Sequence, residues 1–221
     1  MIYTTEMLLE KNRHYSNAYN KIQRDCKNNK LVKIKRGLYE DNWYVSPYLL
    51  SAYIYGPSYI SFDYVLSKYG LIPEYVPNIT CASFRKNKTK KYDTPIGSFI
   101  YRDIPEDAFP LGIHGEIEDG YSYIIATPEK ALCDKLYSLP QVYSLTSFED
   151  MLFNDLRIDK NLLNNLDWDL IESIAPKYHK SNLRFILRYH AKVLSLIWLH
   201  THPELPLHTS RQSRMDSLRS I

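Results

Sequence analysis

The sequence predicts an α+β protein with a helical C-terminal region. Three observations predict it. Runs of alternating apolar and polar residues sit beside turn dipeptides between residues 31 and 126. Capped stretches with helical apolar spacing flank those runs. From Ser147 onward the spacing is helical only. Charge divides the chain further. Residues 11–36 hold nine Lys and Arg and one acid, Asp25, whereas residues 103–120 hold six acids and no Lys or Arg. Residues 149–172 hold seven acids against Arg157 and Lys160, so the net charge of +3 over 221 residues hides a segregation. A basic N-terminal module ahead of a more acidic body is the electrostatic layout of a nucleic-acid binder; a Lys-rich solvated surface is the plainer account of the same charges.

The N-terminal module, residues 1–45, is expected to be a winged helix-turn-helix. Thr5 can cap a helix through Glu10. Ser16 can cap a second helix, about 16–28. There Tyr19, Ile22 and Cys26 share an apolar face, and Asn17, Asn20, Lys21, Arg24 and Lys27 lie on the opposite one. Amide and cationic side chains pair with base edges and phosphates. Val32 and Ile34 alternate with Lys33 and Lys35, Arg36-Gly37 breaks the run, and Leu38-Tyr39 with Trp43-Tyr44-Val45 can return as the paired strand. Helix two would enter a major groove, and the basic hairpin would touch the backbone or the minor groove. Only two helices precede the hairpin, so the module is either minimal or completed by the body. The alternative is a small α/β cap packed on that body.

Residues 46–146 are expected to form an α+β domain with a mostly antiparallel sheet. A short helix around Leu49–Tyr55 stops at Gly56-Pro57, and Ser61 can cap a second with Phe62, Val65, Leu66 and Tyr69 on one face. Strands are expected at 79–84, 97–101, 112–118 and 121–126, the last two joined by an Asp119-Gly120 type I′ turn. Thr127-Pro128-Glu129 opens a helix striped by Leu132, Leu136 and Leu139. Between the first two strands, Arg85, Lys86, Lys88, Lys90 and Lys91 form a basic loop. It is either solvated or a second phosphate contact.

Residues 147–200 are expected to be helical. A capping box starts at Ser147, short helices start at Asp159 and Asp167, and a long helix starts at Ser181. The last has Leu183, Ile186, Leu187, His190, Leu194 and Ile197 on one face and Arg184, Arg188 and Lys192 on another, a row that the acids of 149–172 can pair. Residues 201–221 shift in composition and read as a disordered tail.

Three segments together resemble the AbiEi antitoxins of type IV toxin–antitoxin and abortive-infection systems: Leu-Val-Lys-Ile-Lys-Arg-Gly-Leu-Tyr (31–39), Tyr-Ile-Ser-Phe-Asp-Tyr-Val-Leu-Ser-Lys-Tyr-Gly-Leu-Ile-Pro (59–73) and Ile-Ala-Thr-Pro-Glu-Lys-Ala-Leu-Cys-Asp-Lys-Leu-Tyr (125–137). The likeness covers about residues 1–140. It implies a bacterial autoregulator that binds double-stranded DNA at promoter repeats of its own operon. It also implies an antitoxin that counteracts a nucleotidyltransferase toxin of the AbiEii type, with or without direct contact. The implied recognition helix is 16–28, the wing 31–39, and the antitoxin core 59–73 with 128–137. A second reading is a toxin-neutralising interaction protein with weak or no specific DNA binding.

Catalytic signatures are sparse. The single Asp/Glu-x-Lys, Asp25-Cys26-Lys27, falls on an expected helix, and Glu129 and Lys130 are adjacent and diverge by about 100° on a helix. Gly97-Ser98 lacks a following strand Asp-x-Asp, and no phosphate-binding Gly loop is present. The expectation is a protein that is not an enzyme and uses no cofactor or metal. No apolar run reaches the ~18 residues that a membrane helix needs. Residues 1–20 hold no basic-then-apolar segment, so no leader sequence is expected there. The well-separated Cys26, Cys81 and Cys133 fit a reducing cytoplasm.

Overall fold

A computed structural model describes residues 1–118 and 121–201, so the Asp119-Gly120 turn and the tail from 202 lie outside the described residues. The chain opens with β1 (Ile2–Thr4), α1 (Thr5–Lys11), α2 (Ala18–Lys27), β2 (Val32–Lys35) and β3 (Leu38–Glu40). The strands form an antiparallel sheet in the order β1-β3-β2. Thr4, not Thr5, caps α1 by accepting the Met7 N–H at 3.3 Å. Asn17, not Ser16, caps α2 by accepting the Asn20 N–H at 2.9 Å. Gly37 turns the hairpin at φ +84°, a conformation that costs a side-chain-bearing residue energy. The return strand ends at Glu40. Trp43-Tyr44-Val45 does not extend it, and the Trp43 indole instead donates to the Asn29 carbonyl at 2.9 Å.

This small sheet has two buried faces. Tyr3, Leu8, Ile22, Leu31 and Tyr39 form a cluster under α1 and α2, with Cys26 against it, whereas Tyr19 stays exposed. On the other face Val32, Ile34 and Leu38 join the main core of the protein. The first forty-five residues are therefore continuous with the body.

The body holds a six-stranded sheet of β4 (Ser58–Ile60), β5 (Ile79–Ser83), β6 (Lys90–Asp93), β7 (Ser98–Asp103), β8 (Ile113–Glu118) and β9 (Tyr121–Ala126), ordered β6-β7-β5-β4-β9-β8. The sheet is mixed. β4/β5, β6/β7 and β8/β9 pair antiparallel, but β4/β9 and β5/β7 pair parallel. Two short strands cause the departure from the expected pattern. β4 inserts between β5 and β9, and β6 takes Lys90 and Lys91 out of the expected loop and puts them on the edge.

Helices α3 (Pro47–Ile54), α4 (Phe62–Lys68) and α5 (Pro128–Ser138) pack on this sheet. The Thr127 hydroxyl accepts the Lys130 N–H at 3.3 Å and Pro128 fills the first turn, as the sequence predicts. Ser61 stands at the cap position of α4 without capping it. Thr80 of β5 does so from across the chain, accepting the Tyr64 N–H at 3.0 Å and donating to the Ser61 carbonyl at 2.5 Å. Further on lie α6 (Leu145–Asp150), α7 (Lys160–Asn164), α8 (Trp168–Ile174) and α9 (Ser181–Thr201). Ser144 rather than Ser147 caps α6; Asp159 and Asp167 cap α7 and α8. In α9 Leu183 and Ile186 are buried, but Leu194 and Ile197 are exposed because the second half of the helix leaves the body. Lys192 pairs with Glu149 at 2.6 Å, and His190 stacks on Trp168 at 3.9 Å. Among the described residues no helix is long and apolar enough to cross a membrane.

Candidate nucleic-acid interface

Helix α2 is amphipathic because its single fully buried side chain, Ile22, fixes which face turns inward. Asn20, Arg24 and Lys27 then face solvent. With Tyr15, Ser16, Asn17 and Gln23 they line a shallow depression of about 500 Å³. Gln23 escaped the sequence reading, although it stands three residues after Asn20 and its amide matches the others in chemistry. Two of the expected contact residues have internal duties. The Asn17 side-chain oxygen is occupied as the cap, and Lys21 is half-buried, salt-bridged to Asp25 at 2.5 Å and placed over the Tyr15 ring. Arg24 and Lys27 have no carboxylate partner among the described residues.

The hairpin divides its cations in the same way. Lys33 and Arg36 are exposed. Lys35 donates to the Ile54 carbonyl at the end of α3 and lies over the Tyr92 ring, and burial lowers its pKa. It ties the ribbon to the body and is not free to meet a ligand.

The second basic cluster lies beside that tie. Lys86 sits over the Tyr55 ring at 5.3 Å, and Tyr55 and Tyr92 pack at 5.9 Å. A tyrosine pair thus joins the hairpin to β6 and to the loop before it. The loop is pinned where the Asp103 carboxylate accepts the Lys86 and Asn87 N–H groups at 3.0 and 2.8 Å. Arg85 pairs with Glu106 at 2.7 Å and Lys91 with Asp93 at 3.1 Å, while Lys88 and Lys90 are exposed. The contacts of Lys35 and Lys86 with this tyrosine pair bring the hairpin and the loop before β6 side by side.

A different arrangement occupies the body. Asp134 on α5 is fully buried and accepts from Ser61 at 2.6 Å, Tyr59 at 2.9 Å and Tyr178. Lys130, one turn earlier and 0% exposed, donates to the Tyr178 hydroxyl and the Ala108 carbonyl, both at 2.6 Å, and lies 3.3 Å from Asp134. Burial lowers the Lys130 pKa against the pull of Asp134, and burial with the Asp134 charge raises Tyr59 and Tyr178 well above the phenol range. Residues from 59–73 and 125–137, two of the segments that carry the family likeness, meet here. Sealed from water and satisfied on every side, the cluster locks β4, α5 and the segment before α9 together. Elsewhere Asp25 holds Lys21, Asp167 caps α8, and Glu129 accepts the Asp167 N–H at 3.1 Å. Among the described residues no three His, Cys, Asp or Glu side chains are grouped to hold a metal. Neither a family model nor a curated sequence matches this chain.

Proposed function

We propose that this protein is a DNA-binding antitoxin and transcriptional autoregulator of a type IV toxin–antitoxin operon, counteracting a nucleotidyltransferase toxin. The observation that carries the DNA half is the outer face of α2. Asn20, Gln23, Arg24 and Lys27 project from one rigid helix with no carboxylate neutralising the two cations. Amides and guanidinium groups match base edges, and cations match phosphates. The order β1-α1-α2-β2-β3, with the first strand against the third, supports a winged helix-turn-helix that starts one helix late. Lys33 and Arg36 on the hairpin and Lys88 and Lys90 before and on the edge strand add further exposed cations. The antitoxin half rests on the sequence likeness, whose body segments converge on the Asp134 cluster.

The test keeps the chain whole, because Val32, Ile34 and Leu38 belong to the main core and a body fragment would lose them. Fluorescence anisotropy on the operon's own promoter should give binding that falls steeply with salt. Arg24→Ala with Lys27→Ala should weaken it at least about tenfold and flatten the log K against log salt slope by about 1 to 2. Lys35→Ala should change that slope little, since its ammonium is already engaged. Equal binding by the Arg24/Lys27 variant rejects α2 as the reader. Growth rescue from the co-expressed toxin by that same variant would separate neutralisation from repression and favour the interaction-protein reading.

A further inference from the structure

The two edges of the six-stranded sheet are built differently. Edge strand β6 is four residues long and carries Lys90 and Lys91, with Lys88 just before it. Short length and lysines are what keeps a free edge from pairing with another chain. Edge strand β8 runs six residues, Ile113-His114-Gly115-Glu116-Ile117-Glu118, in unbroken register with β9, and it has no Lys, Pro or bulge. Among the described residues no strand pairs its outer edge. The Thr127 N–H bonds the Gly112 carbonyl at 2.9 Å, which fixes the alternation: even-numbered residues turn their backbone groups to β9, and Ile113, Gly115 and Ile117 turn theirs outward.

We propose that β8 pairs antiparallel with β8 of a second copy of this chain about a twofold axis at Gly115. In that register residues 113–117 pair among themselves, and Glu118 falls opposite Gly112. Gly115 meets Gly115, Ile113 meets Ile117, and His114 meets Glu116. The outward N–H and C=O groups of Ile113, Gly115 and Ile117 are those that the pairing satisfies. Shifting the axis by one residue toward Glu116 places Glu116 against Glu116, so like charges oppose that register. Within one chain the His114 Nε2 lies 3.4 Å from the Glu116 Oε1, while the other carboxylate oxygen pairs with Lys68 at 2.7 Å and accepts from the Tyr123 hydroxyl at 2.6 Å. The surroundings fit an occupant. Ile117 is 80% exposed, Ile124 opposite Gly115 on β9 is 48% exposed, and the space above the Gly115 Cα is open. The pairing joins two six-stranded sheets into one. It stands independently of the proposed DNA binding.

Sedimentation velocity on the full chain over a concentration series should show a monomer–dimer equilibrium. Gly115→Pro removes an outward N–H and no hydrogen bond to β9, and Ile117→Lys adds the charge that β6 uses; each should weaken the dimer at least about tenfold, with the far-UV circular dichroism unchanged. Gly115→Cys should form an oxidised dimer, because paired residues in this geometry have Cα atoms about 5.5 Å apart, within disulfide reach. The unsubstituted chain, with Cys26, Cys81 and Cys133, is the control. A chain that stays monomeric into the millimolar range overturns the proposal. So does a dimer that both variants leave intact, which would point to the exposed end of α9 instead, and so does assembly into open chains larger than a dimer.

Discussion

Helices α2 and α5 are of similar length and both carry several charged residues, yet they place them oppositely. α2 buries Ile22 alone and leaves Arg24 and Lys27 in water without a carboxylate. α5 buries seven consecutive or near-consecutive positions from Glu129 to Leu136, Lys130 and Asp134 among them, with each charge met by a hydrogen-bonding partner. A charge kept in water is available to a ligand and contributes little to stability. A charge taken into the interior must be satisfied there, and removing its partner is costly. The first helix keeps its cations at the surface, and the second uses its charges to hold the body together.

The largest test of this contrast is Asp134→Ala. It strips the acceptor from Tyr59, Ser61 and Tyr178 and leaves the Lys130 ammonium buried without its carboxylate, so a loss of about 3–5 kcal/mol is expected in urea unfolding. A loss under about 1 kcal/mol would mean that the cluster is ornamental. Ile22→Ala comes next. It should cost about 2–4 kcal/mol, concentrated in the small outer cluster. Hydrogen exchange should accelerate in α1 and α2 while the β5 amides keep most of their protection. Uniform acceleration through β5 would show that the two cores open together. The smallest effect is a matched pair of cap removals, Asn17→Ala on α2 and Thr127→Ala on α5, each about 1 kcal/mol. The first should register as local fraying of α2 and the second as a shift of the global unfolding midpoint.

Much of α5 and of the late helices was legible because the signals are local. Thr127-Pro128, Asp159 and Asp167 satisfy amides two or three residues ahead. The polar face of α2 was legible for the same reason, since helical spacing alone aligns Asn20, Arg24 and Lys27. What escaped is non-local. Ile2-Tyr3-Thr4 and Ser58-Tyr59-Ile60 are too short to display alternation, and they become strands through the neighbours that the fold brings to them. Omitting the second made the sheet look more antiparallel than it is. Ser61 has the residue type of a cap, but Asp134 claims its hydroxyl. Lys35 has the residue type of a phosphate contact, but the open carbonyl of Ile54 at the end of α3 captures it. The burial of Lys130 runs against its hydropathy, and only its i,i+4 spacing to Asp134 hinted at a partner.

The shared core under the hairpin ties the two halves of the molecule together. Val32, Ile34 and Leu38 are packed among the same side chains as β4 and β5, and Lys35 fastens the ribbon from above. The ribbon is thus built on the same foundation as the large sheet, so a substitution that disturbs the packing around β4 and β5 is felt at the hairpin as well.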